Sequence, residues 1–293
     1  MRRRTIAPPA FAPTAAVALA AAAAFAIAGP LAAQDGYAWE NATELSFVST
    51  GGNASSSSLG LKASLTGTDE QNTFKVEVGG IRSETDVTTR VATGTPASFT
   101  VSETTDAQLT AENYFLRGRY DRDFAEAFAF AGAGWDRNTF AGIQNRFAIV
   151  AGFGRTLIDA GESGRLKIDL GATYTIQKDV DPEPGADDAF GGLRMTVDAT
   201  RRVSESADYS SQLAVDENLE DTEDMRADWI NSLTVAINQR LAFKTSLQIL
   251  YDHLPSNLRV PLFDGGGTPT GTDVLTPGDK VDHIVTLTLV IKL

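Results

Sequence analysis

The sequence predicts an all-β chain, a transmembrane antiparallel up-and-down β-barrel of about twelve strands, preceded by a cleaved signal peptide. Three observations predict it. The last stretch, Val281–Leu293, alternates between an apolar face (Val285, Leu287, Leu289, Ile291, Leu293) and a largely polar one (Thr286, Thr288, Lys292, with Val290 the exception). The same period of two recurs along the chain from about residue 40. The connections between these segments alternate short and long, as membrane barrels require. A soluble sheet seldom leaves such an apolar strand at an open edge, because it templates aggregation, whereas a barrel closes that edge on its first strand.

In chain order, residues 1–33 read as a leader. Arg2-Arg3-Arg4 is the basic region, Ala15–Ala28 the apolar stretch, and Leu31-Ala32-Ala33 the small-residue cleavage site. Residues 34–293 form the barrel domain. Leu45 and Phe47 open the series, and Leu59, Leu61, Ala63 and Leu65 follow opposite Lys62 and Ser64. Phe74, Val76 and Val78 oppose Lys75 and Glu77; Tyr114, Leu116, Gly118 and Tyr120 oppose Arg117 and Arg119. The Gly- and Ala-rich stretches 127–136 and 146–157 resist phasing. Ile168, Leu170, Ala172, Tyr174 and Ile176 oppose Lys167, Asp169, Thr173 and Gln177. Leu193, Met195, Val197 and Ala199 oppose Arg194, Thr196, Asp198 and Thr200. Tyr209, Leu213 and Val215 come next, then Trp229, Leu233, Val235 and Ile237. Phe243, Leu247, Ile249 and Tyr251 oppose Lys244, Ser246, Gln248 and Asp252 before the terminal strand. That makes twelve segments, several with aromatic residues (Tyr120, Trp135, Trp229, Tyr251) toward their ends, where interfacial girdles belong.

Gly67–Asn72, Asp121–Ala125, Asp159–Gly164, Ser204–Ala207 and Asn238–Leu241 are the tight connections; Asp86–Thr105, Lys178–Ala189, Glu217–Asp224 and Pro255–Pro277 are the long loops. With both termini in the periplasm, the long loops face outward from the cell. A soluble sandwich shares the period of two, but the segment lengths match the roughly 9–11 residues of a tilted spanning strand.

Composition narrows the function. The net charge is −13, and it becomes −16 once Arg2, Arg3 and Arg4 leave with the leader. A surface this acidic excludes nucleic acid as a partner. The absence of Cys excludes a disulfide scaffold and thiolate metal sites. No enzyme, metal or cofactor is expected. The two histidines, His253 and His283, each follow an aspartate, Asp252 and Asp282. Neighbours on a strand point to opposite faces, so neither adjacent pair forms a dyad. Both pairs flank the loop 255–277 and are expected to face each other at the outer rim, histidines outward and aspartates inward. They read as interfacial residues rather than as a hydrolase or metal site. The acidic clusters Asp179, Asp181, Glu183, Asp187, Asp188 and Glu217, Glu220, Asp221, Glu223, Asp224 read as solvated loop charge, with a divalent cation bridging to lipopolysaccharide as the alternative.

The inward polar set is the best handle on function: Lys62, Lys75, Glu77, Arg117, Arg119, Lys167, Asp169, Arg194, Asp198 and Lys244. A lumen of mixed charge lines a narrow pore or locks itself with ion pairs.

Some stretches also carry a resemblance. They are Glu44-Leu45-Ser46-Phe47-Val48-Ser49-Thr50-Gly51-Gly52-Asn53-Ala54, Glu112–Phe124 with its Leu116-Arg117-Gly118-Arg119-Tyr120-Asp121 centre, and Gly134–Asn138 followed by Phe140–Arg146. In these the chain resembles the salt-stress-induced outer-membrane proteins, domain-of-unknown-function family 481, over residues 40–293. The resemblance implies a barrel in the cell outer membrane, in contact with lipid and lipopolysaccharide and inserted by the barrel-assembly machinery. It implies a link to salt or osmotic adaptation and no catalytic or ligand residues. Such barrels often end on an aromatic residue, where this sequence has Leu293. The readings carried forward are a narrow channel or passive envelope barrel, a structural or adhesive barrel working through its loops, and a rim hydrolase.

Overall fold

The computed structural model describes residues 36–50, 55–95, 98–182 and 188–292. The proposed leader and Leu293 lie outside these, as do Glu183 and Asp187. Among the described residues there are fourteen strands: β1 (Ala38–Thr50), β2 (Ser55–Thr68), β3 (Asn72–Thr95), β4 (Ser98–Phe124), β5 (Ala127–Asn138), β6 (Ile143–Asp159), β7 (Gly164–Asp179), β8 (Ala189–Ser204), β9 (Ala207–Asn218), β10 (Met225–Ala236), β11 (Leu241–Asp252), β12 (Asn257–Phe263), β13 (Pro269–Pro277) and β14 (Val281–Lys292). Twelve of them close an antiparallel barrel in the ring order β1-β14-β11-β10-β9-β8-β7-β6-β5-β4-β3-β2. No helix among the described residues is long and apolar enough to cross a membrane.

Closure falls on the terminal strand. β14 pairs with β11 through Ala242↔Val290 and with β1 through Glu44↔Val290. The β1–β14 seam is short, running from Ala42↔Lys292 to Leu45↔Leu289, whereas β1 and β2 pair from Ala38↔Thr68 to Thr50↔Ser56. Lys244 Nζ spans the seam from β11 to Glu44 Oε1 on β1 at 2.8 Å. An ion pair thus clamps the junction where backbone hydrogen bonds are fewest.

Four of the tight connections fall where the sequence predicts. The fifth is Ala125-Glu126 rather than Asp121–Ala125, because Asp121–Phe124 stay paired with β5 from Asp121↔Phe130 to Phe124↔Ala127. All five lie at one end of the barrel, which also holds both strand termini. At one of them, Asp69 accepts backbone N–H bonds from Gln71 at 2.8 Å and Asn72 at 2.6 Å. The Asn72 side chain, then these amides, hold its carboxyl below the usual carboxylate range.

Two long connections differ from the loops expected. Asp86–Thr105 continues β3 and β4 as a paired ribbon from Val87↔Asp106 to Thr95↔Ser98. The stretch lacks apolar alternation, so period alone misses it; its run of Thr and Val favours the extended backbone, and pairing satisfies that backbone. The segment 255–277 carries the separate two-stranded sheet β12–β13.

The barrel is inverted relative to a soluble domain. Its outer face carries Phe153 at 75 %, Val285 at 65 %, Ile149 at 59 % and Leu287 at 58 % exposure. Its buried positions include Asp169 at 3 % and Thr196 at 5 %. Many large apolar side chains exposed around a closed ring form a belt that water does not favour and hydrocarbon does.

Candidate functional site: the barrel interior

The interior is built in tiers. At the short-turn end β5 sends Phe128 and Phe130 inward, and both are buried. The inward row of β5 then reads Gly132, Gly134, Asp136, so the wall goes from bulky to bare to charged. Phe128 fits because β6 has glycine at 154; a Cβ there would run into the Phe128 ring. The Arg119 guanidinium sits 4.1 Å from the Phe130 centroid, and the Lys167 ammonium 4.7 Å from that of Phe128. Arg119 also donates from Nη2 to Asp169 Oδ2 at 2.8 Å and from Nε to Asp121 Oδ1 at 2.6 Å. Ala242 and Val290 are buried at the inner wall of the same end. Lys62 Nζ meets Glu77 Oε1 at 2.8 Å, and Lys75 approaches the same oxygen at 3.2 Å. Together these form a floor of stacked rings and ion pairs.

Above the floor lies a cavity of about 330 Å³, reaching from Lys75 and Arg119 to Asp252, Lys280 and Asp282 near the long-loop end. Ion pairs cross-link its walls. Arg146 Nε donates to Asp136 Oδ2 at 2.8 Å, and Arg194 grips Asp216 with two bonds at 2.7 and 2.9 Å. Arg226 Nη2 donates to Asp224 Oδ2 at 2.8 Å, and Asp252 stands 3.5 Å from Arg226 Nε. Bidentate Arg–carboxylate geometry is the strongest of these motifs and stiffens the wall.

The segment after β11 crosses the mouth. His253 N–H donates to Met225 C=O at 3.0 Å. Ser256 packs against Gly142, on the β5–β6 connection at the far side of the ring. Gly142 has φ +76° and no room for a Cβ against Ser256, so glycine is required on both counts.

The predicted residues therefore take different places. Lys62, Lys75 and Glu77 form one linked cluster; Arg119, Lys167 and Asp169 form the floor; Arg194 pairs in the cavity wall; Lys244 clamps the seam. Asp198 accepts a hydrogen bond from Gln212 Nε2 at 2.6 Å. Arg117 stacks on Phe115 at 4.9 Å and has no ion pair among the described residues. The expected facing of the two Asp–His pairs is corrected. The β11–β14 register sets Leu250↔Asp282 and Ile249↔His283, so Asp252 and His253 stand beyond them toward the loop. Asp252 and Asp282 both line the cavity, while His253 Nδ1 is hydrogen-bonded to Tyr251 Oη at 2.7 Å. No histidine is thereby placed against a lumen carboxylate. No group of three or more His, Asp or Glu among the described residues is arranged to hold a metal ion.

Sequence reasoning missed Phe128, Phe130, Arg146, Asp216, Arg226 and Asp228. For the two rings the signal was present: Phe128-x-Phe130-x-Gly132-x-Gly134 already has period two, with large residues at one end.

A family model described as "Protein of unknown function, DUF481" matches residues 43–260. No curated protein matches the sequence. Among solved structures, an outer membrane channel from Pseudomonas putida F1 is similar at 10 % identity and TM-score 0.42, over 88 % of this chain and 96 % of that one. A bacterial polysaccharide outer membrane secretin is similar at 7 % and 0.38, over 87 % and 96 %. The translocator domain of the autotransporter NalP from Neisseria meningitidis is similar at 11 % and 0.35, over 95 % and 96 %. The twelve-strand closure stands on the strand pairing of this chain itself.

Proposed function

We propose, from the premise that this chain belongs to the DUF481 family, whose function is unknown, that it is a passive outer-membrane barrel whose lumen is blocked at the short-turn end. The floor of Phe128, Phe130, Arg119 and Asp169 is the observation that carries the blocked lumen. The exposed apolar belt supports lipid and lipopolysaccharide as its surroundings, reached through the barrel-assembly machinery. No reaction is assigned to it.

A response to salt would take a physical form in this lumen. Ion pairs weaken as the screening length falls, from roughly 8 Å at physiological ionic strength to roughly 3 Å at 1 M. The partly exposed pairs Lys62–Glu77 and Lys75–Glu77 loosen in that direction, whereas the buried Arg119–Asp169 pair is screened much less. The adhesive reading is favoured by one feature, the β3–β4 ribbon. It runs on past the last β2 pair, Ser55↔Asp86, and rises on the order of 30 Å at about 3.3 Å per residue.

Membrane embedding is tested at Trp229, which is 43 % exposed on the outer face. In a variant carrying Trp39→Phe and Trp135→Phe, folded in vesicles, lipids brominated on their acyl chains should quench its fluorescence strongly. Full fluorescence in a correctly folded sample sinks the embedded barrel.

A further inference from the structure

The cavity is electrically two-sided. On the arc β3–β8 its lining includes five cations (Lys75, Arg117, Arg119, Arg146, Arg194) against two carboxylates. On the remaining arc it includes six carboxylates (Asp216, Glu217, Asp224, Asp228, Asp252, Asp282) against two cations. Most of these charges are consumed by partners. Arg117 has no ion pair among the described residues, and its guanidinium lies over the Phe115 ring, 4.9 Å from the centroid. Asp228 accepts from the neutral Gln248 at 2.8 Å. Their strands, β4 and β10, stand six places apart in the ring of twelve, directly across the lumen.

We propose that this chamber binds small zwitterionic solutes, the carboxylate at Arg117 and the cationic end at Asp228. A field that runs across a narrow, two-sided lumen favours a solute carrying both charges. An ion of one sign gains at one wall and is repelled at the other. The guanidinium offers paired donors to a carboxylate. The cavity volume of about 330 Å³ falls within the range of small-molecule sites. The inference rests on the barrel reading above and names the class of solute the lumen accepts.

The test is calorimetric titration of the detergent-folded full chain with 4-aminobutyrate, butyrate and butylammonium. The zwitterion should bind about tenfold or more tightly than either singly charged analogue, a difference of about 1.4 kcal/mol. Arg117→Met should abolish its advantage over butylammonium, and Asp228→Asn its advantage over butyrate, while Arg117→Lys keeps most of it. Equal affinity for all three probes, or a preference that survives both neutralising substitutions, overturns the chamber. Heat-modifiability gels on the same samples separate the two failures. A compact, faster-migrating band with no zwitterion preference overturns the chamber and leaves the barrel standing. A chain with no such band takes both down.

Discussion

Replacing Arg119 by Met lowers the stability of the folded barrel by about 3–5 kcal/mol, the usual cost of stripping one partner from a buried ion pair. The size follows from what is left behind. Asp169 is 3 % exposed, and its Oδ1 has no hydrogen-bond partner. Arg119 Nη2, at 2.8 Å from Oδ2, is the cation that neutralises it. Without it a carboxylate stays buried against Phe128 and Phe130, where desolvation is severe and water cannot compensate. The substitution also removes the cation over the Phe130 face and the bond to Asp121. Urea titration of tryptophan fluorescence reads the loss. Adding Asp169→Asn should restore most of it, because the uncompensated charge is then gone. A single variant as stable as the parent, or a double variant no better than the single, contradicts this account of the floor.

Phe128→Ala opens the floor. Phe128 is 1 % exposed and fills the space that Gly154 leaves vacant. Truncation removes the ring on which Lys167 rests and leaves a void beside Arg119. Large-to-small substitutions of buried Phe cost about 3–5 kcal/mol. In a barrel the void also becomes a path, because it joins the cavity to the short-turn end. Single-channel conductance should rise several-fold over the parent. Trimming a ring of the outer belt instead, as in Phe153→Ala, should leave conductance unchanged. If Phe128→Ala conducts no better than Phe153→Ala, the constriction lies elsewhere.

The barrel was legible in the sequence because its two faces obey opposite chemistry at a fixed period. Val285, Leu287 and Leu289 against Thr286 and Thr288 state the strand and its orientation without further help. The interior was legible as a set of charges but not as an arrangement. That Lys62 meets Glu77, or that Arg119 on β4 reaches Asp169 on β7, depends on register and on ring closure, which period cannot supply. The floor was hidden for a different reason. Phe128 and Phe130 face inward against the rule that large apolar residues face lipid, and the flanking Ala and Gly blur the phase. The ribbon on β3 and β4 was missed because its sequence carries no apolar alternation; Val87 and Val101, at its base and side, are exposed.

The central claim is a membrane barrel closed from within. Planar-bilayer recording on the folded, unaltered protein tests it most directly. The account predicts little or no steady current at low salt, with conductance climbing faster than bulk conductivity as ionic strength loosens the lumen ion pairs. A stable, fully open current that simply tracks bulk conductivity from the lowest salt upward contradicts it.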